Sequence, residues 1–419
     1  MMAKATHKWA FKSTMRAGAY NWKSSSKAIE RLKLASSEIR AVARVDPLTS
    51  AEGVIALAQR IWPAFEHIDT SSGALGTAVR RTLDEVIPVL IAAPADERTR
   101  TKWLEQLREA ILDDGVDYLA PIADQFGKIA AYPVLMNEHA DRDLNLIHNV
   151  WSDHTQYGHV PTATLTLSCL LEAGRYDELL ALLVVKKTHL WFDEKFGAEA
   201  LRRQGREDDA LIYAETLLTN ERNGWGRQEI ARFCEGILVR HGRSDEAYCR
   251  FGPPSASGNT YLAMWRDLVK RYPDIDARRI LEDLIATQGQ KGKWFAAAKT
   301  AKYLDLALDC AAQPDAAPAT LIRAARDFAI KDPAFAGQVG LHAIGHLLSG
   351  RGYDPSPLDI DAAVGHVMAA SERLGKSDEA IQELERLAGN AAADVMMSAS
   401  LKSKLSDIVK GRTKKLRNI

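Results

Sequence analysis

Leu238-Val-Arg-His-Gly242-Arg-Ser-Asp-Glu-Ala247 is the stretch that decides the fold class of this 419-residue chain. An apolar helical run closes on Gly242, and two acids open the next run three and four positions later. Glycine supplies the left-handed backbone that ends a helix. Acids in a first turn oppose the positive end of the helix dipole, and Ala247 lets two helices approach closely. Three further copies read Leu171-Glu-Ala-Gly174-Arg-Tyr-Asp-Glu178, Leu201-Arg-Arg-Gln-Gly205-Arg-Glu-Asp-Asp-Ala210 and Glu372-Arg-Leu-Gly375-Lys-Ser-Asp-Glu-Ala380. A weaker copy, Lys299-Thr-Ala301-Lys-Tyr-Leu-Asp-Leu-Ala307, sets Ala301 opposite the glycines. A repeated helix–glycine–acid–helix phrase is a signature of stacked helical hairpins, an α-solenoid.

The intervals between copies are 31, 37, 59 and 74 residues. The last, twice 37, predicts one hairpin without the phrase at around 321–348. Breaks rich in glycine and proline absorb the irregular spacing, at 252–258, 288–292, 313–318 and 350–357. Ahead of the array, apolar spacing predicts a helix over 27–44 that stops at Asp46-Pro47, and another over 50–68 that Pro63 kinks or ends. A third is expected to start on a Ser71 or Ser72 cap, carry the stripe Leu75, Val79, Leu83, Val86 and Leu90, and close at Pro94. Two more are expected at about 97–113 and 116–131. Alternating strand patterns are nearly absent, so the expected class is all-α.

Gly174/Tyr176/Glu178 and Gly205/Asp209/Ala210, with Ala198 seven residues before Gly205, resemble parts of the tetratricopeptide repeat. That family's units share a glycine, an aromatic residue two on, an acid and then alanine. Glu235 and Met368 take the small-residue place in other copies, and no closing proline recurs. The likeness over about 160–400 is therefore to a degenerate, tetratricopeptide-like array. The chain also resembles a bacterial family of helical-repeat proteins with no assigned activity. Thr6-His-Lys-Trp-Ala-Phe11, Leu321-Ile-Arg-Ala-Ala-Arg-Asp-Phe328 and Gly340-Leu-His-Ala343 carry that resemblance, which implies the fold and a bacterial origin. Zinc-finger proteins of the SWIM type have a similar helical tail, but their C-x-C ligand pair is absent and no zinc function carries over.

Apolar residues make up 46% and charged residues 26%, the balance of a folded chain. No apolar run is long enough to cross a bilayer, and no secretory signal is evident. The four cysteines have no C-x-x-C spacing, which fits a reducing, cytoplasmic setting. Charge is segregated. Residues 1–44 carry +8 and residues 402–419 carry +6, which leaves −14 for 45–401 because the whole chain sums to zero. An organellar transit peptide would share the basic, acid-poor beginning. These readings divide the chain into a basic arm (1–26), an N-terminal helical region (27–137), a His-rich hinge (138–160), the repeats (161–401) and a basic C-terminal tail (402–419).

Three clusters carry candidate chemistry. In the arm, Lys8, Trp9, Lys12, Arg16, Tyr20, Trp22, Lys23 and Lys27 interleave cations with aromatic faces, a composition suited to phosphates and unpaired bases. The alternative is that the arm's aromatics pack on the body while its lysines stay solvated or pair with the acidic surface. In the hinge, His148, Asp153, His154 and His159 are candidate metal ligands, close to Glu138, His139, Asp141 and Asp143. His342-Ala-Ile-Gly-His346 places two imidazoles on one helix face, without the glutamate of H-E-x-x-H. Phosphate-binding glycine loops, the dinucleotide fingerprint and the G-x-S-x-G elbow are absent, so no cofactor is expected. The leading expectation is a cytoplasmic scaffold that binds a peptide or partner domain in a concave groove. The alternatives are a nucleic-acid-associated protein using both basic ends, and a metal-dependent enzyme at the hinge. No membrane partner is expected.

Overall fold

The computed structural model describes residues 7–153, 158–219, 224, 226–390 and 393–417. Among the described residues there are 23 α-helices and no strand. The chain divides into two compact units, Met1–Gly226 and Arg227–Ile419.

The first unit contains α1 (Phe11–Thr14), α2 (Ser25–Ala43), α3 (Pro47–Phe65), α4 (Ala74–Ala92), α5 (Glu97–Leu112), α6 (Ala120–Asp124), α7 (Phe126–Ala130) and α8 (Pro133–Ser152). It continues with α9 (Ala163–Glu172), α10 (Tyr176–Val184), α11 (Trp191–Arg203) and α12 (Glu207–Leu218). Asp46 ends the run that precedes it and caps α3, where its carboxylate accepts from Thr49 N at 3.1 Å with Pro47 in the first turn. Pro63 lies inside α3, which ends two residues later. Gly73, at φ 68°, takes the cap position of α4 in place of Ser71 or Ser72. The stripe Leu75, Val79, Leu83, Val86 and Leu90 is fully buried, each side chain contributing about 1.5–3 kcal/mol relative to exposure. The helix expected over 116–131 is instead two five-residue helices, α6 and α7, broken at Gln125.

Arg100 on α5 closes this part of the core. It is 2% exposed, and its guanidinium donates to the carbonyls of Leu90, Ile91, Ala93 and Ile129 at 2.5–3.1 Å. Three of the four belong to the C-terminal end of α4, so a buried cation sits on the negative pole of a helix in place of a carboxylate.

The second unit contains α13 (Arg227–Arg240), α14 (Ser244–Ser255), α15 (Tyr261–Arg271), α16 (Ala277–Gln288), α17 (Phe295–Thr300) and α18 (Leu304–Ala311). It ends with α19 (Pro318–Phe328), α20 (Pro333–Leu348), α21 (Pro357–Arg373), α22 (Ser377–Gly389) and α23 (Val395–Arg417). The pair expected at 321–348 is present as α19 and α20, which pack together. The expected tail at 402–419 begins inside α23, with Leu401 and Leu405 buried on either side of that boundary.

The glycine phrase folds the same way in every strong copy. Gly174, Gly205, Gly242 and Gly375 have φ between 68° and 79°. The residue after each donates its N–H back across the turn, Arg175 to Leu170, Arg206 to Leu201, Arg243 to Leu238 and Lys376 to Ser371, at 2.9–3.0 Å. That six-to-one bond is the Schellman closure of a helix. The cation after each glycine then clasps the acid three residues on. Arg175–Glu178, Arg206–Asp209 and Arg243–Glu246 are 2.7–2.8 Å apart, and Lys376–Glu379 is 3.3 Å.

The weaker copy needs a correction of one residue. Lys302, not Ala301, occupies the left-handed position, with φ 68°, and Tyr303 N bonds Ala298 O at 3.1 Å. From Lys302 the acid three on is Asp305 and the buried alanine five on is Ala307, the spacing of the other copies.

Candidate functional site

The described part of the N-terminal arm, residues 7–26, is folded into the first unit. Glu38 of α2 receives Ala10 N at 2.9 Å and lies 3.2 Å from His7 Nε2, which holds residues 7–10 against α2. Trp9, Phe11, Met15 and Tyr20 are buried in the core of the unit. The Trp9 indole lies over Gly53 of α3, and Tyr20 meets Phe65 edge-on with ring centroids 5.4 Å apart. Two of the residues expected to stack on bases, Trp9 and Tyr20, therefore have their faces covered by protein. The physical reason is area, since an indole or phenol ring gains more from an apolar groove than from water.

Trp22 is different. Its backbone is tied down, with Trp22 O accepting from Asp69 N at 3.0 Å, but its side chain is 63% exposed. Of the cations in the same segment of sequence, Lys8, Lys12, Arg16, Lys23 and Lys27 are all exposed. None of the five forms an ion pair with a described carboxylate, whereas Arg40 and Arg81 of the same unit both reach Glu85, at 3.5 and 3.4 Å. The arm thus keeps its cations for solvent or an outside anion and gives most of its aromatics to the core.

The His-rich segment does not lie between the compact units. Residues 138–152 belong to α8, inside the first unit; α8 packs on α9 and buries Leu135, His139, Ala140, Ile147 and Trp151. His148 and His159 are exposed, Asp153 is half-buried, and His154 lies outside the described residues. Among the described residues no group of three His, Cys, Asp or Glu side chains is placed to hold a metal ion. His139 meets Phe126 edge-on at 5.3 Å, and burial holds its pKa below the usual imidazole value. In α20, His346 is buried. Its Nε2 lies 2.8 Å from Ala311 O and its Nδ1 3.2 Å from an Arg351 guanidinium nitrogen, so both ring nitrogens are engaged. That arrangement fits a neutral ring donating through Nε2, and burial pushes its pKa down.

One titratable cluster was not visible in the sequence. Asp193 and Glu194, in the first turn of α11, are 2% and 0% exposed. Lys186 pairs with Asp193 under the Trp151 ring, its ammonium 4.4 Å from the ring centroid. Glu194 accepts from the Tyr213 hydroxyl and lies 2.8 Å from His189 Nδ1. Burial pushes both carboxyls and the Tyr213 hydroxyl above their ordinary values. The cluster ties the turn after α10 to α11 and α12. Its one sequence signal was two acids set among Trp191, Phe192 and Phe196, an apolar neighbourhood for adjacent charges.

Compared with protein-family models, curated proteins and solved structures, the chain finds no match.

Proposed function

We propose that this chain is an interaction scaffold, a tetratricopeptide-like α-solenoid that holds a peptide or partner domain along its helical hairpins. The observation that supports it is the repeated turn, a left-handed glycine followed by a cation–acid clasp in four copies. Units of this kind rely on their neighbours for stability and leave one face of their helices for ligands. The test is affinity capture with the full chain from nuclease-treated extract. A protein retained at one-to-one stoichiometry through a high-salt wash is expected; recovery of nucleic acid alone counts against the scaffold.

A second reading, a nucleic-acid-associated protein, is favoured by one observation. Five exposed cations with no acid partner among the described residues share the arm with an exposed tryptophan. It requires binding to RNA or DNA that weakens steeply as salt rises.

A further inference from the structure

We propose that the outward face of α2 docks an acidic, amphipathic helical segment of a partner protein. The inference names a partner for the scaffold reading above and rests on it. The face lies outside the repeats, in the N-terminal helical region. One side of α2 is spent on the core, where Ala28, Leu32, Ala35 and Ile39 are buried and α3 and α4 pack on the helix. Helical spacing sorts the outward residues into two parallel stripes. Lys33, Arg40 and Arg44 form one, and Leu34, Ala41 and Val45 form the other; all six are exposed. Arg44 and Val45 directly follow the last residue of α2, and Arg44 keeps helical backbone at φ −71°.

The basic stripe runs along the α4 side. Arg40 lies 3.5 Å from Glu85 of α4, and Arg81 of α4 lies 3.4 Å from the same carboxylate. Glu85 also accepts from the Ser36 hydroxyl at 2.7 Å, and the three partners hold its pKa below the usual carboxylate range. Two arginines from different helices therefore converge on one acid, and the group keeps a surplus positive charge. Lys33 and Arg44 form no ion pair with a described carboxylate. Of the two acids in α2, Glu38 is committed to Ala10 N. Glu30 is exposed and opposes an acidic partner, so its charge weakens binding.

The apolar stripe decides the kind of anion. Leu34 is 53% exposed and Val45 87%. A row of phosphates uses the cations and leaves these two side chains in water. A helix with acids beside an apolar stripe uses both, gaining burial from one and charge pairing from the other. From Leu34 to Val45 the face runs about 17 Å, or about three turns, along the axis. A partner helix of the same length covers it. Ser37, between the stripes, and Ala41 are small and leave room for a second helix axis at about 8–10 Å.

The test is fluorescence anisotropy of the full chain with a labelled helical peptide of about twelve residues, leucines along one stripe and glutamates on its flanks. Lys33→Glu with Arg44→Glu is expected to weaken binding about ten-fold, and Leu34→Ser with Val45→Ser by about as much. Lys33→Arg with Arg44→Lys should retain it, and Glu30→Gln should tighten it. All of these side chains are at the surface, and circular dichroism checks that the variants fold. Absence of peptide binding, or binding that ignores either weakening pair, overturns the proposal. So does labelled oligothymidine that binds more tightly than the peptide and is lost with the charge reversals, which assigns the face to nucleic acid. Self-association in sedimentation that the charge reversals abolish assigns it to a second copy and overturns the proposal as well. Affinity capture with the wild-type and charge-reversed chains separates this face from the scaffold reading. A protein retained equally by both overturns the face and leaves the scaffold standing; no protein retained by either overturns both.

Discussion

Gly53→Ala sets helix propensity against packing. Gly53 lies inside α3 with ordinary helical backbone, so alanine there should favour the helix by about 1 kcal/mol. The Trp9 indole opposes it, because a Cβ at that position falls within 2.8 Å of three indole carbons. Trp9 is only 5% exposed and has little room to retreat. Overpacking of this kind costs about 1–3 kcal/mol, so the net effect is destabilisation of up to about 2 kcal/mol. In a unit of 226 residues, each kcal/mol lost lowers Tm by about 2–4 °C. The control is Trp9→Ala, which itself costs about 3–5 kcal/mol. In that background Gly53→Ala should stabilise by about 1 kcal/mol, because the obstacle has gone. The assay is a double-mutant cycle by urea unfolding, with an expected coupling of about 1–3 kcal/mol. If Gly53→Ala stabilises both backgrounds equally, the arm is not docked as described, and its aromatics regain their standing as ligand contacts.

The hairpin turns make opposite predictions at matched positions. Gly205→Ala, at φ 79°, should cost about 1–2 kcal/mol, whereas Lys302→Gly, at φ 68°, should stabilise by about 0.5–1 kcal/mol, both read from thermal unfolding. Asp193→Ala leaves Lys186 buried without its partner and should cost about 3–5 kcal/mol, while the pair Lys186→Met with Asp193→Leu should recover most of that loss in the same assay. Acid should destabilise the fold through its buried imidazoles. His139 and His346 are held below the usual value, so the unfolded chain takes up protons near pH 6.5 while the folded chain does not. Stability is then full above about pH 6.5 and falls as pH drops toward the folded values, by up to about 1.4 kcal/mol per pH unit for each histidine. Urea unfolding at a series of pH values checks this, and replacing both residues with glutamine should flatten the profile.

Much of the fold was legible because its signals are local. The phrase around Gly242 marked a helix end and a helix start, and the backbone there is left-handed as the glycine implied. The stripe on α4 was visible as a 3.6-residue period and is buried along its length. The weaker copy was misplaced by one residue because Lys302 does not look like a glycine, and only the backbone reveals that it acts as one. The candidate sites were less legible, because exposure depends on distant residues. Trp9 and Trp22 look alike in sequence. Gly53, some forty positions away, provides the floor that buries the first, while the second is left 63% exposed. The histidines of 138–160 looked like a cluster on paper, but α8 turns His139 into the core and leaves His148 in solvent.

The sequence by itself determined an all-α chain, the position of its glycine turns and the segregation of its charge. Each of these is written in periodicity, in a single φ > 0 residue or in composition, and none requires knowing what lies across the core. Tertiary structure alone decided which aromatics of the arm are spent on packing, which cations stay unpaired, and where Asp193 and Glu194 are buried together. It also decided that Arg100 serves as the counter-charge of a helix end. These outcomes depend on the complementarity of surfaces brought together from distant parts of the chain, and burial, the largest energetic term, is assigned only when those surfaces meet.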